Sequence, residues 1–263
     1  YVGRIVMVGD EPCLPYNRPP LCKNFLAGLI PEEKLLLRPR SFFLDSDIDI
    51  RTGVSAQKLR VSDRSIDFSN GQSLGFDHLV IATGGRPRKL NIPGVDLPQV
   101  HYLRTMSDVN AIRPSLLPGA RMVLIGGGYI GAELAQMFSR AGVKVTLVCR
   151  SHLLPEAEPE IGAALTGYLQ DEGITIVSGV AYRAIRKTEH CIALDVSRDD
   201  QNTTIDADQV LITTGRAPNI EGPGLAERGI TVSLKGGIVV DDRMRTTGAG
   251  IYAAGDVTGR DQS

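Results

Sequence analysis

Val123-Leu124-Ile125-Gly126-Gly127-Gly128-Tyr129-Ile130-Gly131-Ala132-Glu133 is the stretch that decides the fold. Its apolar opening reads as a buried strand. Three glycines at G-x-G-x-x-G spacing follow at once (Gly126, Gly128, Gly131), and a helical pattern then begins. Each glycine answers a different need: Gly126 a tight turn, Gly128 close approach of backbone to a pyrophosphate, Gly131 close packing of helix on strand. The N–H groups at the start of the helix, around Tyr129 and Ile130, and the helix dipole then favour phosphate.

Downstream the pattern is βαβ. Ile130, Leu134, Met137, Phe138 and Ala141 share one helix face, and Gly142 ends that helix. A strand over 144–148, a helix over 159–172 and a strand over 174–177 follow. Residues 182–206 hold short strands around a charged stretch. The run 209–215 ends in Thr213-Thr214-Gly215, repeating the Ala82-Thr83-Gly84 ending of the run 76–84. Two strand-to-glycine turns of one kind suggest two related nucleotide-binding domains. The tail offers strand-like runs at 237–241 and 251–254, the second ending in Gly255-Asp256, where close backbone approach and a carboxylate suit a polyol hydroxyl.

Upstream, the strand-like Ile5-Val6-Met7-Val8 ends in Gly9-Asp10-Glu11, an acid placed to bond ribose hydroxyls or to cap a solvated turn. The stretch 14–23 is stiffened by Pro15, Pro19 and Pro20. Residues 24–28 and 39–45 read as short helices. Short strands at 48–51, 55–61 and 65–68 precede Asn70-Gly71, a hairpin turn. Residues 85–98, with three prolines, read as a crossover between domains.

The whole chain has 263 residues, 42% hydrophobic and 22% charged, with formal charge −1. That is globular composition, and it gives no electrostatic reason to expect nucleic acid or an acidic membrane surface as partner. No apolar run reaches spanning length. The four cysteines (Cys13, Cys22, Cys149, Cys191) lack metal or secreted-framework spacing, so the cytoplasm is the expected compartment. Both ends run directly from strand-like segments, as expected of a fragment.

Taken together the motifs resemble the two-dinucleotide-binding-domain flavoprotein reductases of the pyridine nucleotide-disulfide oxidoreductase superfamily. Residues 1–112 resemble reductases that feed ferredoxins and rubredoxins, such as putidaredoxin and rhodocoxin reductases, through VGDEPCLPYNRPPLCK, RPRSFF, FDHLVIATGGRPRKL and VHYLRT. Residues 121–263 look more like mercuric reductase, through EPEIGAALTGYLQDEGI, LITTGRAPN and GIYAAGDVTGRDQ. The resemblance implies an α/β fold of two Rossmann-like three-layer domains: a partial FAD-binding domain over 1–112, an NAD(P)-binding domain over 113–245, and a return segment over 246–263. It implies FAD and NADP or NAD as cofactors, hydride transfer from nicotinamide to flavin, and a small iron–sulfur protein as electron acceptor.

The resemblance also implies roles. Asp10, with Glu11 as substitute, holds the FAD adenosine ribose. Lys23 lies beside flavin N5, with Arg18 in the same loop. Glu133, two residues past Gly131 on the helix's first turn, pairs with that lysine. Tyr129 covers the flavin until nicotinamide displaces it. Val54, Ala82, Thr83, Gly84 and Arg104 are further FAD contacts, and Gly255-Asp256 is the ribityl contact. The family's first glycine motif and its C-terminal interface domain are not in the sequence, so weak FAD retention is expected. A nucleotide-binding fragment without turnover is therefore an alternative. A mercuric-reductase-like or disulfide reductase is a second one, although Cys13 and Cys22 do not have the C-x-x-x-x-C spacing of a redox pair. Two unpaired thiols are therefore expected at Cys13 and Cys22, with a disulfide between them as the alternative.

Coenzyme choice can be read from charge. An acid about 20 residues past the glycine motif would bond the 2′-hydroxyl of NADH. Here the strand over 144–148 ends in Cys149-Arg150-Ser151-His152. Arg150 offers a fork for a 2′-phosphate and Ser151 a hydroxyl, which favours NADPH.

Overall fold

A computed structural model describes residues 3–221, 224–234 and 236–259. Residues 260–263, which close the GIYAAGDVTGRDQ stretch and the expected return segment, lie outside them. The chain divides into two compact units: Tyr1–Tyr16, Leu36–Arg86 and Arg216–Ser263 in the first, Asn17–Leu35 and Pro87–Gly215 in the second.

The chain begins in the first unit with β1 (Ile5–Val8). After residues 17–35, which belong to the second unit, α1 (Arg40–Asp45) leads to β2 (Ile48–Arg51), parallel to β1 with Ile5 opposite Ile48. β3 (Ala56–Arg60), β4 (Ser65–Phe68) and β5 (Ser73–Gly75) form an antiparallel meander. Asn70-Gly71 turns β4 into β5, with Gly71 at φ 78° as the hairpin signal requires. β6 (Leu79–Ile81) and β7 (Gly85–Pro87) then carry the chain onward.

The second unit continues with β8 (Val100–Tyr102), α2 (Met106–Ile112), β9 (Arg121–Ile125), α3 (Tyr129–Arg140), β10 (Lys144–Val148), α4 (Pro159–Asp171) and β11 (Thr175–Val177). A meander of β12 (Ala181–Lys187), β13 (Ile192–Arg198) and β14 (Gln201–Ala207) precedes β15 (Gln209–Ile212). β11, β10, β9, β15 and β8 lie in that order in one parallel sheet. Val123 and Ile125 of β9 pack with Ile192, Leu194 and Val196 of the meander on one face. α3 packs on β9 and β10 with Leu134, Ala135 and Phe138 fully buried. Burying Phe138 contributes about 2–3 kcal/mol. Three layers result, as the βαβ pattern requires.

β16 (Arg216–Pro218) pairs with β7, and β17 (Ile251–Ala253) returns parallel to β6. Ile81, Ala253, Ile251, Leu59 and Val257 share the first unit's core. Two local expectations fail. Residues 24–28 form turns rather than a helix: Phe25 N–H bonds back five residues to Pro20, Ala27 four to Lys23 and Gly28 three to Phe25, so no single helical pitch is kept. The expected strand at 237–241 is reduced to an isolated Val232–Ile238 bridge. Gly237 lies so close to Thr258 that an added Cβ would fall 2.1 Å from its carbonyl oxygen, and Ile238 N–H bonds Val257 instead of a strand neighbour. Among the described residues no helix is long and apolar enough to cross a membrane.

Candidate functional site

The glycine turn lies between β9 and α3. Gly126 takes φ 127°, and an added Cβ would stand 2.7 Å from the Thr213 carbonyl oxygen. Gly131 comes closer still: its Cβ would meet the Gly126 carbonyl oxygen at 2.0 Å. Gly128 differs from both. It caps α3 with an extended backbone, φ −78° and ψ −177°, and nothing lies within 4 Å of where its Cβ would be. Two glycines are therefore required by the protein's own packing, and the third leaves an open cradle at the helix N-terminus. That cradle fits a dinucleotide pyrophosphate. Gly127, which the motif leaves unassigned, is also packed, its Cβ position 2.9 Å from Cys149 Cβ. The x positions of the motif gave no signal of this contact.

Glu133 is the fifth residue of α3, not part of its first turn, and that first turn carries no acid to oppose a phosphate. Tyr129 is exposed at the helix start. Glu133 meets Cys22 and Lys23 at the end of the Pro-rich stretch, which belong to the same unit. Lys23 Nζ lies 3.2 Å from Glu133 Oε1, and the Cys22 thiol donates to Glu133 Oε2 over 3.7 Å. Burial first, then the Glu133 carboxylate, pushes the Cys22 thiol up from its ordinary pKa, against the lowering effect of Lys23.

Three contacts hold this loop. Arg18 Nη1 donates to the Arg104 carbonyl over 2.8 Å. Arg104 is anchored in turn, its N–H bonding Asp108 Oδ2, while Thr105 and Asp108 form a capping box for α2. Arg113 donates to the Phe25 carbonyl and stacks over the Phe25 ring at 4.7 Å. The structure thus brings Arg18, Lys23, Arg104, Tyr129 and Glu133 into one unit. Sequence reading missed Arg113 and Phe25, whose relation depends wholly on the fold.

At the coenzyme's expected adenosine end, Arg150 follows β10 and Ser151 is tied to the next loop by Gly179 N–H. Arg150 lies over the Tyr182 ring at 5.9 Å. Burial raises the Tyr182 phenol to about 12, so it stays a neutral donor, to the Val148 carbonyl. Thr214 and Gly215 follow β15, Thr214 Oγ1 donating to the Arg88 carbonyl and Gly215 at φ 100°.

The first unit gathers the other residues at strand ends. β6 and β17 run parallel, so Ala82-Thr83-Gly84 and Gly255-Asp256 emerge on the same edge. Ala254 N–H bonds the Ile81 carbonyl, and Thr83 Oγ1 donates to Asn219. Arg216 lies 3.6 Å from the Asp256 carboxylate. Gly255, at φ 79°, has open space around its Cβ position. Beyond β1, Val54 N–H bonds Gly9 and Gly53 N–H bonds Glu11. The Tyr16 hydroxyl donates to Glu11 Oε2 over 2.5 Å, while Asp10 is exposed. No disulfide joins Cys13 to Cys22.

The model of one protein family, pyridine nucleotide-disulphide oxidoreductase, matches residues 1–263. The chain belongs to this family. Rhodocoxin reductase of Rhodococcus erythropolis is 33% identical to the chain over 260 residues, 97% of the chain and 59% of that relative. Mercuric reductase of Staphylococcus aureus is 37% identical over 199 residues, 75% of the chain and 35% of that protein. Both likenesses therefore extend past the boundary near residue 112. The putidaredoxin reductase–putidaredoxin covalent complex superposes with a TM-score of 0.90 at 31% identity, over 97% of the chain and 61% of that structure. The chain thus spans about three fifths of the length of the ferredoxin-type relatives it matches.

Proposed function

We propose that this chain is the dinucleotide-handling part of an FAD-dependent NAD(P)H reductase that passes electrons to a small iron–sulfur protein such as a ferredoxin or rubredoxin. The observation that carries the reading is the pairing of Lys23 with Glu133, which stands on the helix that begins at the open Gly128 cradle. When bound, NAD(P)H supplies a hydride, and FAD takes it and releases its electrons to the acceptor.

The chain's own residues do the rest. Gly126, Gly128 and Gly131, with the N–H groups of Tyr129 and Ile130, hold the pyrophosphate of NAD(P)H. Thr214 and Gly215 border that turn, and Arg150 and Ser151 receive the adenosine end. Lys23 supplies positive charge for a reduced, anionic flavin, and Glu133 holds the lysine in place and moderates it. Tyr129 covers the flavin until nicotinamide displaces it. In the first unit Asp10 receives the FAD ribose; it is preferred to Glu11, which the Tyr16 hydroxyl already engages. Val54, Ala82, Thr83 and Gly84 approach FAD with backbone, and Gly255 and Asp256 take its ribityl hydroxyls. The FAD-binding domain then runs over residues 1–112 with a return segment over 246–263, and the NAD(P)-binding domain over 113–245. The cytoplasm is the proposed compartment.

The relatives support this reading: rhodocoxin reductase and a ferredoxin–NAD(+) reductase subunit match nearly the whole chain. Spectroscopy of the purified protein supplied with FAD tests it. A flavin band that NADPH or NADH bleaches without oxygen, and that a ferredoxin restores, is the expected result. Colourless protein that still binds the nicotinamide coenzyme would instead mark a binding module without turnover.

A further inference from the structure

A cavity of about 400 Å³ opens where β10 ends. Three guanidinium groups line it: Arg150 just past β10, Arg183 on β12 and Arg198 at the end of β13. Arginines of this meander are not generally left without counter-charge, since Arg186 on β12 is paired with Asp195 at 2.8 Å. Among the described residues none of the three cavity arginines has a carboxylate partner.

Each is instead held by a neutral group. Arg183 Nε donates to the buried Ser197 hydroxyl over 2.7 Å, and its two terminal nitrogens make no hydrogen bond among the described residues. Arg198 donates to the Ser178 carbonyl and lies beside Gly179, its Nε 3.7 Å from where a Gly179 Cβ would stand. Arg150 rests on the Tyr182 ring. Neutral anchors fix the direction of a guanidinium without spending its charge, which is what recognition of a doubly charged oxyanion needs. Asp199 and Asp200, on the β13–β14 turn, also line the cavity. Their charge opposes any anion in the cavity, so the three guanidinium groups must outweigh it.

We propose that Arg183, with Arg150, forms the fork for a ribose 2′-phosphate and makes NADPH the coenzyme of this chain. Arg183 is then a specificity-determining residue that lies outside the glycine-turn βαβ unit, some thirty residues beyond the position where coenzyme choice is usually read. Ser197 is its positioning residue. The inference rests on the reading that the glycine turn binds a nicotinamide dinucleotide.

Calorimetric titration with 2′,5′-ADP and with 5′-AMP, which differ by the 2′-phosphate alone, tests it without turnover. The wild-type protein is expected to bind 2′,5′-ADP at least tenfold more tightly. Arg183→Gln should reduce that ratio about tenfold, and Arg183→Lys, which keeps the charge and loses the fork, should reduce it less. Ser197→Ala keeps every charge and frees the side chain, so a roughly threefold reduction is expected even where Arg183→Gln does not fold. A ratio unchanged in folded Arg183→Gln protein would overturn the proposal. So would 5′-AMP binding as tightly as 2′,5′-ADP, with the dinucleotide reading left standing. Failure to bind either nucleotide or NADH would overturn both together.

Discussion

Lys23 Nζ stands 3.2 Å from Glu133 Oε1, with the two side chains 53% and 45% exposed. An ion pair so open to water contributes about 0–1 kcal/mol to stability. Its value to the molecule must then lie in where it puts charge. Glu133→Gln should change the denaturation midpoint little, by less than about 0.5 kcal/mol of stability. The same substitution should slow reduction of bound flavin by NADPH at least tenfold in a stopped-flow measurement, and Lys23→Met should slow it further. Equal reduction rates in all three proteins would remove the pair from the reaction.

The glycine turn predicts a separation of stability from binding. Gly131→Ala places a methyl 2.0 Å from the Gly126 carbonyl oxygen, inside a turn that has no room to yield. A loss of about 3 kcal/mol in urea unfolding is expected, at the upper end of overpacking costs. Gly128→Ala meets no atom within 4 Å and needs no left-handed backbone. It should leave stability within about 0.5 kcal/mol of wild type, yet weaken NADPH binding because its methyl enters the phosphate cradle. Loss of stability in Gly128→Ala with binding intact would reverse these assignments.

What could be read from sequence here was what is encoded locally. The glycine spacing prescribes a backbone path, so the turn, β9, α3 and β10 fall where it places them. The partnership of Lys23 with Glu133 was legible only through resemblance, since nothing near either residue announces the other. Gly127 against Cys149, Arg113 against Phe25 and Arg183 beside Arg150 were not legible at all. In each case one partner is brought by a distant element, and residue type alone does not say which arginine will be left without a carboxylate. The strand expected at 237–241 failed for a related reason: alternation of apolar residues was satisfied by packing Ile238 and Val240 into the core, with backbone bonds drawn to Val257 and Thr231 rather than to a regular neighbour.

Arg113 offers a test of how the lysine loop is held. Its guanidinium bonds the Phe25 carbonyl and covers the Phe25 ring, while its Nε is buried with no hydrogen-bond partner among the described residues. Replacement by Leu removes a charge-assisted hydrogen bond and a cation–π contact but also relieves the unsatisfied donor. The balance is a destabilisation of about 1–2 kcal/mol. Loosening of residues 23–28 should follow, seen as faster amide exchange at Ala27 and Gly28, whose N–H groups bond Lys23 and Phe25. Unaltered exchange there would show that the Arg18–Arg104 contact alone fixes the loop.

Cys22 separates the electron-transfer reading from a disulfide-reducing one. A nucleophilic thiol is poised by surroundings that stabilise its anion. Cys22 has the reverse: burial first and the Glu133 carboxylate second raise its pKa above the ordinary 9.0, and Lys23 only partly opposes them. The thiolate is therefore scarce at pH 8, and iodoacetamide labelling of the Cys22 peptide, followed by mass spectrometry, should be slow there and accelerate only above pH 9. Because the carboxylate disfavours a neighbouring anion, Glu133→Gln should lower the thiol pKa and speed labelling at pH 8, whereas Lys23→Met should slow it. Fast labelling of the wild-type protein at pH 7 would mean a thiol activated for exchange, and it would move the chain's chemistry from the Lys23–Glu133 pair to Cys22 itself.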